Sequence, residues 1–183
     1  MRIIAGEFRS RGILAPESDT TRPITDRAKQ SLFDILAPHI DGAIVYDCFA
    51  GTGSMGLECL SRGASHVMFF EADRSAVRRL RRNIASLVVQ SRSTVIDRDL
   101  FKWFDTSDPK SPANLVFLDP PYRFLTDRPS DLQRLATTLA GRHLAADAIV
   151  AFRHDEKDHL DLPPLRVADQ RTYGGMAIEL LRL

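Results

Sequence analysis

The sequence predicts an α/β fold in which a mostly parallel sheet is covered by helices. From residue 43 onward, short apolar runs of strand length alternate with amphipathic segments of helix length. The first strand-to-helix transition carries three glycines at the spacing G-x-G-x-x-G, which is typical of a ligand-binding turn in such sheets. With 183 residues the chain suits one domain around a single large core.

The composition excludes several classes of protein. Hydrophobic residues (44%) and charged residues (27%) occur in the proportions of an ordinary globular domain. No apolar stretch approaches a membrane span, and the first residues are too short for a signal-peptide core. The two cysteines do not suggest a disulfide framework, and no cysteine or histidine cluster has metal-ligand spacing. We therefore expect a cytoplasmic, monomeric protein without a metal.

The amino-terminal residues predict a hairpin and then a helix. Residues 2–5 and 12–14 are expected to form two short strands, followed by a loop that ends near residue 24. Thr25 is expected to cap a helix that runs to about Leu36.

This amino-terminal region is locally basic, although the net charge of the chain is only +1. Arg9 and Arg11 lie in the hairpin and Arg22 in the loop. They could form a solvated surface, or they could contact RNA phosphates with Phe8 available to stack on a base. The charge pattern alone does not decide between these interpretations.

The glycine spacing lies between a strand and a helix. A strand over residues 43–46 is expected to end in Asp47, and a helix over residues 57–62 is expected to end with Gly63 as its C-cap. The glycines of the turn are Gly51, Gly53 and Gly56. Because glycine has no side chain, we expect a ligand to contact backbone N–H groups of this turn.

Two acids restrict which ligand the turn binds. Glu71 stands 20 residues after Gly51, directly after a predicted strand (His66–Phe70), where an acid suits the hydroxyls of a ribose. Asp47 stands where the pyrophosphate of a dinucleotide would lie, and the like charges would repel. S-adenosylmethionine has no phosphate and carries two cationic groups, so Asp47 favours it over NAD or FAD. The alternative for Asp47 is a hydrogen bond to the turn backbone.

The next two elements predict another acid near the same edge. Asp73 is expected to cap a helix from Arg74 to Leu87, whose five arginines we interpret as a solvated surface. A third strand, residues 94–96, precedes Asp99. Asp99 could bind the adenine amino group of a cofactor, or it could cap a short helix over residues 100–104.

The second informative stretch is Asp119-Pro120-Pro121-Tyr122, which follows a predicted strand over residues 114–118. The prolines remove two N–H donors and hold Asp119 extended. The Asp119 carboxylate and the Pro120 carbonyl then offer acceptors beside the ring of Tyr122, which suits the exocyclic amino group of a stacked base. The alternative is a proline-rich turn with a buried tyrosine; the position at the end of a strand favours the site.

The remaining residues predict a helix, a strand and a terminal hairpin. Ser130 is expected to cap a helix to about residue 140, and residues 148–152 form a fifth strand. Residues 153–162 are expected to be a loop. Residues 165–172 and 176–181 read as a terminal β-hairpin, and no repeat or second domain is present.

Two stretches, Asp47-Cys48-Phe49-Ala50-Gly51-Thr52-Gly53 and Asp119-Pro120-Pro121-Tyr122, resemble class I S-adenosylmethionine-dependent methyltransferases that act on amino groups. Residues 1–6, 21–27, 56–64 and 173–174 are similar to the 16S ribosomal RNA (guanine-N2) methyltransferase family, the RsmD family. This resemblance covers essentially the whole chain. The Asp-Pro-Pro-Tyr stretch is shared with adenine-N6 and cytosine-N4 enzymes, so it indicates chemistry rather than substrate. The chain departs from the family at Arg153-His154, where an acid is usual.

The resemblance implies a Rossmann-like fold with a seven-stranded sheet whose last strand is antiparallel. Residues 25–183 would form the catalytic core, and residues 1–24 an extension that contacts RNA. The implied substrate is a guanine in 16S ribosomal RNA on the assembling small subunit. The expected cofactor-binding residues are Asp47, Phe49, Ala50, Gly51, Gly53, Glu71 and Asp99. The expected catalytic residues are Asp119, Pro120 and Tyr122, and the expected RNA contacts are Arg9, Arg11 and Arg22.

Three other functions are compatible with parts of the sequence. An adenine-N6 methyltransferase acting on DNA or RNA would use the same chemistry, but a sequence-reading DNA enzyme usually carries a separate recognition domain, for which this chain has no room. A non-catalytic RNA-binding or ribosome-assembly factor would have no reason to keep Asp47, Glu71 and Asp119. A dehydrogenase is disfavoured by Asp47.

Overall fold

The computed structural model describes residues 1–16, 24–108 and 111–183. Its strands are β1 (Ile44–Cys48), β2 (His66–Phe70), β3 (Ser93–Ile96), β4 (Ala113–Leu118), β5 (Leu144–Asp155), β6 (Arg166–Tyr173) and β7 (Met176–Arg182). Its helices are α1 (Asp26–Leu36), α2 (Ser54–Ser61), α3 (Arg74–Leu87), α4 (Leu100–Thr106), α5 (Phe124–Asp127) and α6 (Pro129–Thr138). Short 3₁₀ turns cover Ala37–His39 and Gln90–Arg92, and a π turn covers Leu139–His143.

All seven strands belong to one sheet with the order β3-β2-β1-β4-β5-β7-β6. The pairs β2–β3, β1–β2, β1–β4 and β4–β5 are parallel, whereas β7 is antiparallel to both β5 and β6. This arrangement confirms the predicted seven-stranded, mostly parallel sheet with an antiparallel last strand.

Alternate strand residues point to opposite faces, and both faces are buried, as expected for a parallel sheet. One face packs against the amino-terminal segment and α1 to α3, and the other packs against α4 to α6. The first face includes Val45, Val67, Phe69, Leu115, Phe117 and Ala151. The second includes Tyr46, Cys48, Phe70, Val116, Leu118 and Phe152.

The amino-terminal segment is a hairpin, but the two strands expected in it are reduced to one isolated bridge between Arg2 and Gly12. The side chains of Ile3, Phe8 and Ile13 anchor it in the main core. Phe8 is only 8% exposed, so the expectation that it stacks on an RNA base is wrong. The following loop, with Arg22, lies outside the described residues.

Several local signals in the sequence are confirmed. The hydroxyl of Thr25 accepts a hydrogen bond from the N–H of Ala28, and the carboxylate of Asp73 accepts one from Ala76. These contacts are the predicted caps of α1 and α3. The bounds of β2 and α3 are also as predicted.

Other boundaries differ from expectation. β1 continues through Cys48, so Asp47 lies inside the strand rather than after it. β5 extends to Asp155 because its last residues pair with β7, so residues 153–155 are not a loop. α6 begins at Pro129 instead of after a Ser130 cap, since the fixed φ of proline suits the first helical position. α5 was not predicted.

Within the described part of the chain, no helix is long and apolar enough to cross a membrane.

Val88, directly after α3, has a backbone conformation that is unfavourable for valine. Its φ is 59° and its side chain is 80% exposed, so a β-branched residue occupies a left-handed conformation without burial. Asparagine tolerates this conformation better, so Val88→Asn should raise the free energy of unfolding by about 1 kcal/mol. Urea denaturation measures the change.

The matched control is Val167→Asn, since Val167 is an exposed valine in the extended strand β6. It should bring no gain because valine suits a strand. Equal effects of the two substitutions would contradict the proposed backbone strain at Val88.

Candidate active site

A cavity of about 560 Å³ lies beside the carboxyl ends of β1, β2, β4 and β5. Four charged residues on its wall come from these ends: Asp47, Glu71, Asp119 and Arg153. The amino-terminal segment and the first turns of α3 supply the opposite part of the wall, including Met1, Pro16 and Arg79. The cavity has the size of a small-molecule binding site.

The pleat of the sheet explains why the acids share one wall. Asp47 is paired in register with Phe69 of β2 and Phe117 of β4. Glu71 and Asp119 each follow one of these phenylalanines by two residues, and residues two apart in a strand point to the same face. All three carboxylates therefore lie on the face covered by α1 to α3.

The glycines of the turn do not offer their N–H groups to a ligand, so that expectation is wrong. The N–H of Gly51 donates to Glu71 Oε2 at 2.8 Å, that of Gly53 to the Ala50 carbonyl at 2.8 Å, and that of Gly56 to Asp47 Oδ2 at 2.9 Å. These three donors hold the turn in shape instead.

Two of the glycines lie in close contact with neighbouring side chains. A Cβ at Gly53 would lie 2.4 Å from Leu80 Cδ1, and one at Gly56 would lie 2.4 Å from Phe69 Cε1. Gly53 also has a φ of +85°, a conformation that favours glycine. Phe49, Ala50 and Gly51 line the cavity, whereas Gly53 does not.

Glu71 joins the turn to α3. Besides the bond from Gly51, its Oε1 accepts a hydrogen bond from the N–H of Asp73 at 2.8 Å. Each carboxylate oxygen can accept a second hydrogen bond, so Glu71 can hold the turn and bind a ligand hydroxyl at the same time.

Asp47 is a buried acid with an altered pKa. Its side chain is 2% exposed, and burial raises its pKa from 3.8 to about 8, with further contributions from the charges of Asp119 and Glu71. The Gly56 N–H and Lys29 act in the opposite direction. The alternative role predicted for Asp47, a hydrogen bond to the turn backbone, is present, and the residue also lines the cavity. A cation bound there would favour its ionised form.

The Asp-Pro-Pro-Tyr segment is only partly at the cavity. Asp119 and Pro121 line the wall, whereas Pro120 and Tyr122 do not. The reason is a tight turn into α5, in which the carbonyls of Pro121 and Tyr122 accept hydrogen bonds from Phe124 and Leu125. This turn has no signal in the sequence, so the sequence alone predicts all four residues at one site.

Asp119 is paired with a cation. The Arg153 Nε donates to Asp119 Oδ1 at 2.6 Å. Burial raises the pKa of Asp119, and the charge and hydrogen bond of Arg153 oppose that rise.

Three further predicted site residues, Asp99, Arg9 and Arg11, do not line the cavity. Asp99 caps α4 by accepting a hydrogen bond from the Lys102 N–H, and it does not line the cavity. Arg9 is exposed on the hairpin, and Arg11 Nη2 donates to the Ser86 carbonyl at 2.7 Å. Arg22 falls outside the described residues. Asp99 therefore has the second of its two predicted roles.

The predicted site lacks both arginines of the cavity wall, Arg79 and Arg153. Arg153 is expected in a loop, although its position two residues after Ala151 in an extended run indicates the same face. Arg79 was grouped with the solvated arginines of α3, but it lines the cavity, while Arg78 and Arg82 are exposed. Helical position could have separated Arg79 from its neighbours.

Among the residues that the structure describes, no group of three or more His, Cys, Asp or Glu side chains could hold a metal ion.

Comparisons with known proteins identify relatives across the whole chain. A sequence model of the family described as "Conserved hypothetical protein 95" matches residues 1–182. A Bacillus subtilis protein named as a candidate rRNA methyltransferase, YlbH, is 31% identical over 97% of both chains. The Ribosomal RNA small subunit methyltransferase D of Escherichia coli is 40% identical over 67% of this chain and 61% of the relative.

Solved structures with a similar fold also cover nearly the whole chain. A solved structure of a candidate methyltransferase, yhhF, from Escherichia coli is 31% identical and has a TM-score of 0.83, covering 99% of this chain and 96% of the other. A Thermus thermophilus protein of unassigned function has a TM-score of 0.79 at 26% identity and covers 100% and 99% of the two chains. The likeness therefore extends over the complete sheet and the amino-terminal hairpin.

The buried carboxyl of Asp47 predicts an unusual pH dependence of stability. The folded protein binds the Asp47 proton more tightly than the unfolded chain does, so the wild type loses stability as pH rises from about 4 to about 8. Asp47→Asn does not titrate, and its amide oxygen can still accept from Gly56. At each pH, the melting temperature of wild type is subtracted from that of Asp47→Asn. This difference should increase as pH rises through this range and should stay constant above it.

Asp127→Asn, at an exposed position in α5, is the control and should show no such trend. A difference between Asp47→Asn and wild type that stays constant from pH 5 to pH 8 would mean that Asp47 is ionised throughout.

Proposed function

The chain belongs to the family described as conserved hypothetical protein 95, the RsmD family, and we propose that it methylates the exocyclic N2 amino group of a guanine in 16S ribosomal RNA with S-adenosylmethionine as the methyl donor. The observation that carries the proposal is the convergence of Asp47, Glu71 and Asp119 on one wall of a single cavity. Two relatives named as rRNA methyltransferases support RNA as the substrate class.

The cavity fits S-adenosylmethionine better than a dinucleotide. The N–H groups of Gly51, Gly53 and Gly56 are occupied within the protein, so they provide no cradle for a pyrophosphate. Asp47 offers a carboxyl group to a cation, and Glu71 offers free acceptor capacity to ribose hydroxyls. When bound, S-adenosylmethionine supplies a methyl group activated by a positively charged sulfur. Phe49, Ala50 and Gly51 complete the proposed cofactor wall.

Asp119 would orient the amino group that receives the methyl group. The nitrogen lone pair of guanine N2 is delocalised into the ring, so it is a poor nucleophile. A carboxylate that accepts one N–H favours a pyramidal nitrogen and stabilises the positive charge that develops on it. Asp119 also provides a place for the proton released after methylation. Most of the acceleration would come from orientation, for which about 7–11 kcal/mol is available.

Pro120 and Tyr122 keep their proposed roles as second acceptor and stacking surface. Both roles require Pro120 and Tyr122 to move towards the cavity when the base enters. Such closure on substrate binding is common in enzymes.

RNA binding is proposed for residues 1–24, with residues 25–183 as the catalytic core. Arg9 is exposed in the turn of the hairpin, and Met1 of the same segment lines the cavity. A chain of net charge +1 does not bind RNA by charge alone. We therefore propose recognition of the shape of an assembling small subunit, with Arg9 and Arg22 adding phosphate contacts and Arg11 contributing where its bond to Ser86 allows.

The function is tested in cells that lack the protein. Mass spectrometry of their small-subunit ribosomal RNA should show the loss of one N2-methylguanine, which the wild-type gene restores and Asp119→Ala does not. Asp119→Asn should be nearly as damaging, because its amide restores an acceptor without the charge. With isolated subunits and saturating cofactor, single-turnover rates of both variants should fall at least about 100-fold, a typical loss for one such donor or acceptor.

The exposed Asp127→Asn serves as the matched control and should behave as wild type. Loss of an N6-methyladenine would replace guanine by adenine as the substrate. Unchanged RNA methylation would indicate a non-catalytic assembly factor, and a single-turnover rate of Asp119→Ala within a few-fold of wild type would make Asp119 structural.

The RNA-binding role of the amino-terminal arginines is tested by charge reversal. Arg9→Glu combined with Arg22→Glu should weaken binding to small subunits about tenfold or more. The salt dependence of binding should also decrease, because a complex with fewer phosphate contacts releases fewer counterions when it forms. Cofactor affinity should not change. Arg166→Glu combined with Arg171→Glu, at two exposed positions in the edge strand β6, makes the same change in net charge and is the control. Equal salt dependence of the two variants would identify the amino-terminal arginines as a solvated surface.

A further inference from the structure

Arg153 and Asp119 face each other across two neighbouring strands. Leu118 of β4 is paired in register with Phe152 of β5, so the residues that follow, Asp119 and Arg153, are neighbours on the opposite face. The Arg153 Nε lies 2.6 Å from Asp119 Oδ1, and both side chains line the cavity. Arg153 is 12% and Asp119 24% exposed, so the pair is largely removed from water.

Arg153 is itself held in place. It lies in β5, where it is paired in register with Ile178 of β7. Its Nη1 contacts the sulfur of Met176, a buried residue at the start of β7, at 3.7 Å. Two strands therefore fix the guanidinium, and the guanidinium in turn fixes one oxygen of Asp119.

The surroundings of Asp119 are otherwise acidic. Asp47 of β1 contributes a carboxyl group and Glu71 a second one, from the ends of neighbouring strands. The positive charge of Lys29 in α1 lowers the pKa of Asp47, but Lys29 forms its ion pair with Glu58. Within the described residues, Arg153 is the cation in contact with Asp119. Burial would favour the protonated form of Asp119, which could not accept from an amino group with its full charge.

We propose that Arg153 is a positioning residue that keeps Asp119 ionised and turns its second oxygen, Oδ2, towards the amino group of the substrate. This inference rests on the proposed function of Asp119. Arg153 binds Oδ1 and leaves Oδ2 for the incoming N–H. In this role Arg153 acts through its contact with Asp119.

The opposite role is an inhibitory contact in which Arg153 blocks Asp119 until RNA arrives. The two roles predict opposite changes in the rate of methyl transfer when Arg153 is removed. If Arg153 positions Asp119, its removal slows methyl transfer at neutral pH; if it blocks Asp119, its removal accelerates transfer.

The first test is the pH dependence of single-turnover methylation of small subunits by Arg153→Met, Arg153→Gln and Arg153→Lys. Loss of the charge should move the acid limb of the profile to higher pH by about one unit or more, so the rate on that limb should fall about tenfold and the loss should shrink as pH rises. Arg153→Lys, which keeps the charge, should lie between these variants and wild type. Arg166→Met, on β6, should leave the profile unchanged.

The second test does not depend on activity. Protein labelled with ¹³C at aspartate carboxyls is titrated by NMR, with the Asp119 signal assigned from its absence in Asp119→Asn. The pKa of Asp119 should be higher in Arg153→Met and Arg153→Gln than in wild type, and circular dichroism spectra equal to that of wild type verify the fold of both variants.

An unchanged Asp119 pKa in both variants, or rates equal to or above wild type at all pH values, would overturn the proposal. If wild-type protein methylates no small-subunit RNA, the proposed function fails, while the NMR titration still decides whether Arg153 controls Asp119.

Discussion

The fold depends on one buried carboxylate, that of Glu58 in α2, which is completely inaccessible to water. Its four donors are the N–H groups of Ile4 and Ala5, the ammonium of Lys29 and the Nε of Arg62, at 2.8 to 3.0 Å. A buried charge is tolerated only when its partners are complete, and removal of one partner typically costs about 3–5 kcal/mol. Glu58 therefore ties the amino-terminal segment and α1 to α2, and through the Lys29 bond to Ser54 it reaches the cavity wall.

The same constraint applies to the three acids of the cavity wall, and each acid is compensated by different contacts. Glu71 accepts two backbone N–H groups, Asp119 has the guanidinium of Arg153, and Asp47 has one N–H and the more distant Lys29. Asp47 is the least compensated, and its pKa is the one raised to about 8. Concentrating three acids on one wall is costly for stability, and clusters of this kind are characteristic of functional sites.

The parts of this structure that follow local rules could be predicted from the sequence. The caps at Thr25 and Asp73 depend on residues three apart, and the common face of the acids follows from the pleat once the strands are placed. The pair between Asp119 and Arg153 could not be predicted, because it depends on the register of β4 against β5 across 34 residues. The position of Tyr122 outside the cavity wall likewise depends on a turn into a helix, and this turn has no clear sequence signal.

The position of β7 affects how the protein is made. This strand is synthesised after all the others, yet it lies between β5 and β6 and contributes Ile178 to the cavity wall. Until residues 176–182 leave the ribosomal exit tunnel, β5 has an unpaired edge of the kind that promotes aggregation. The wall of the cavity is therefore complete only after β7 has been inserted between β5 and β6.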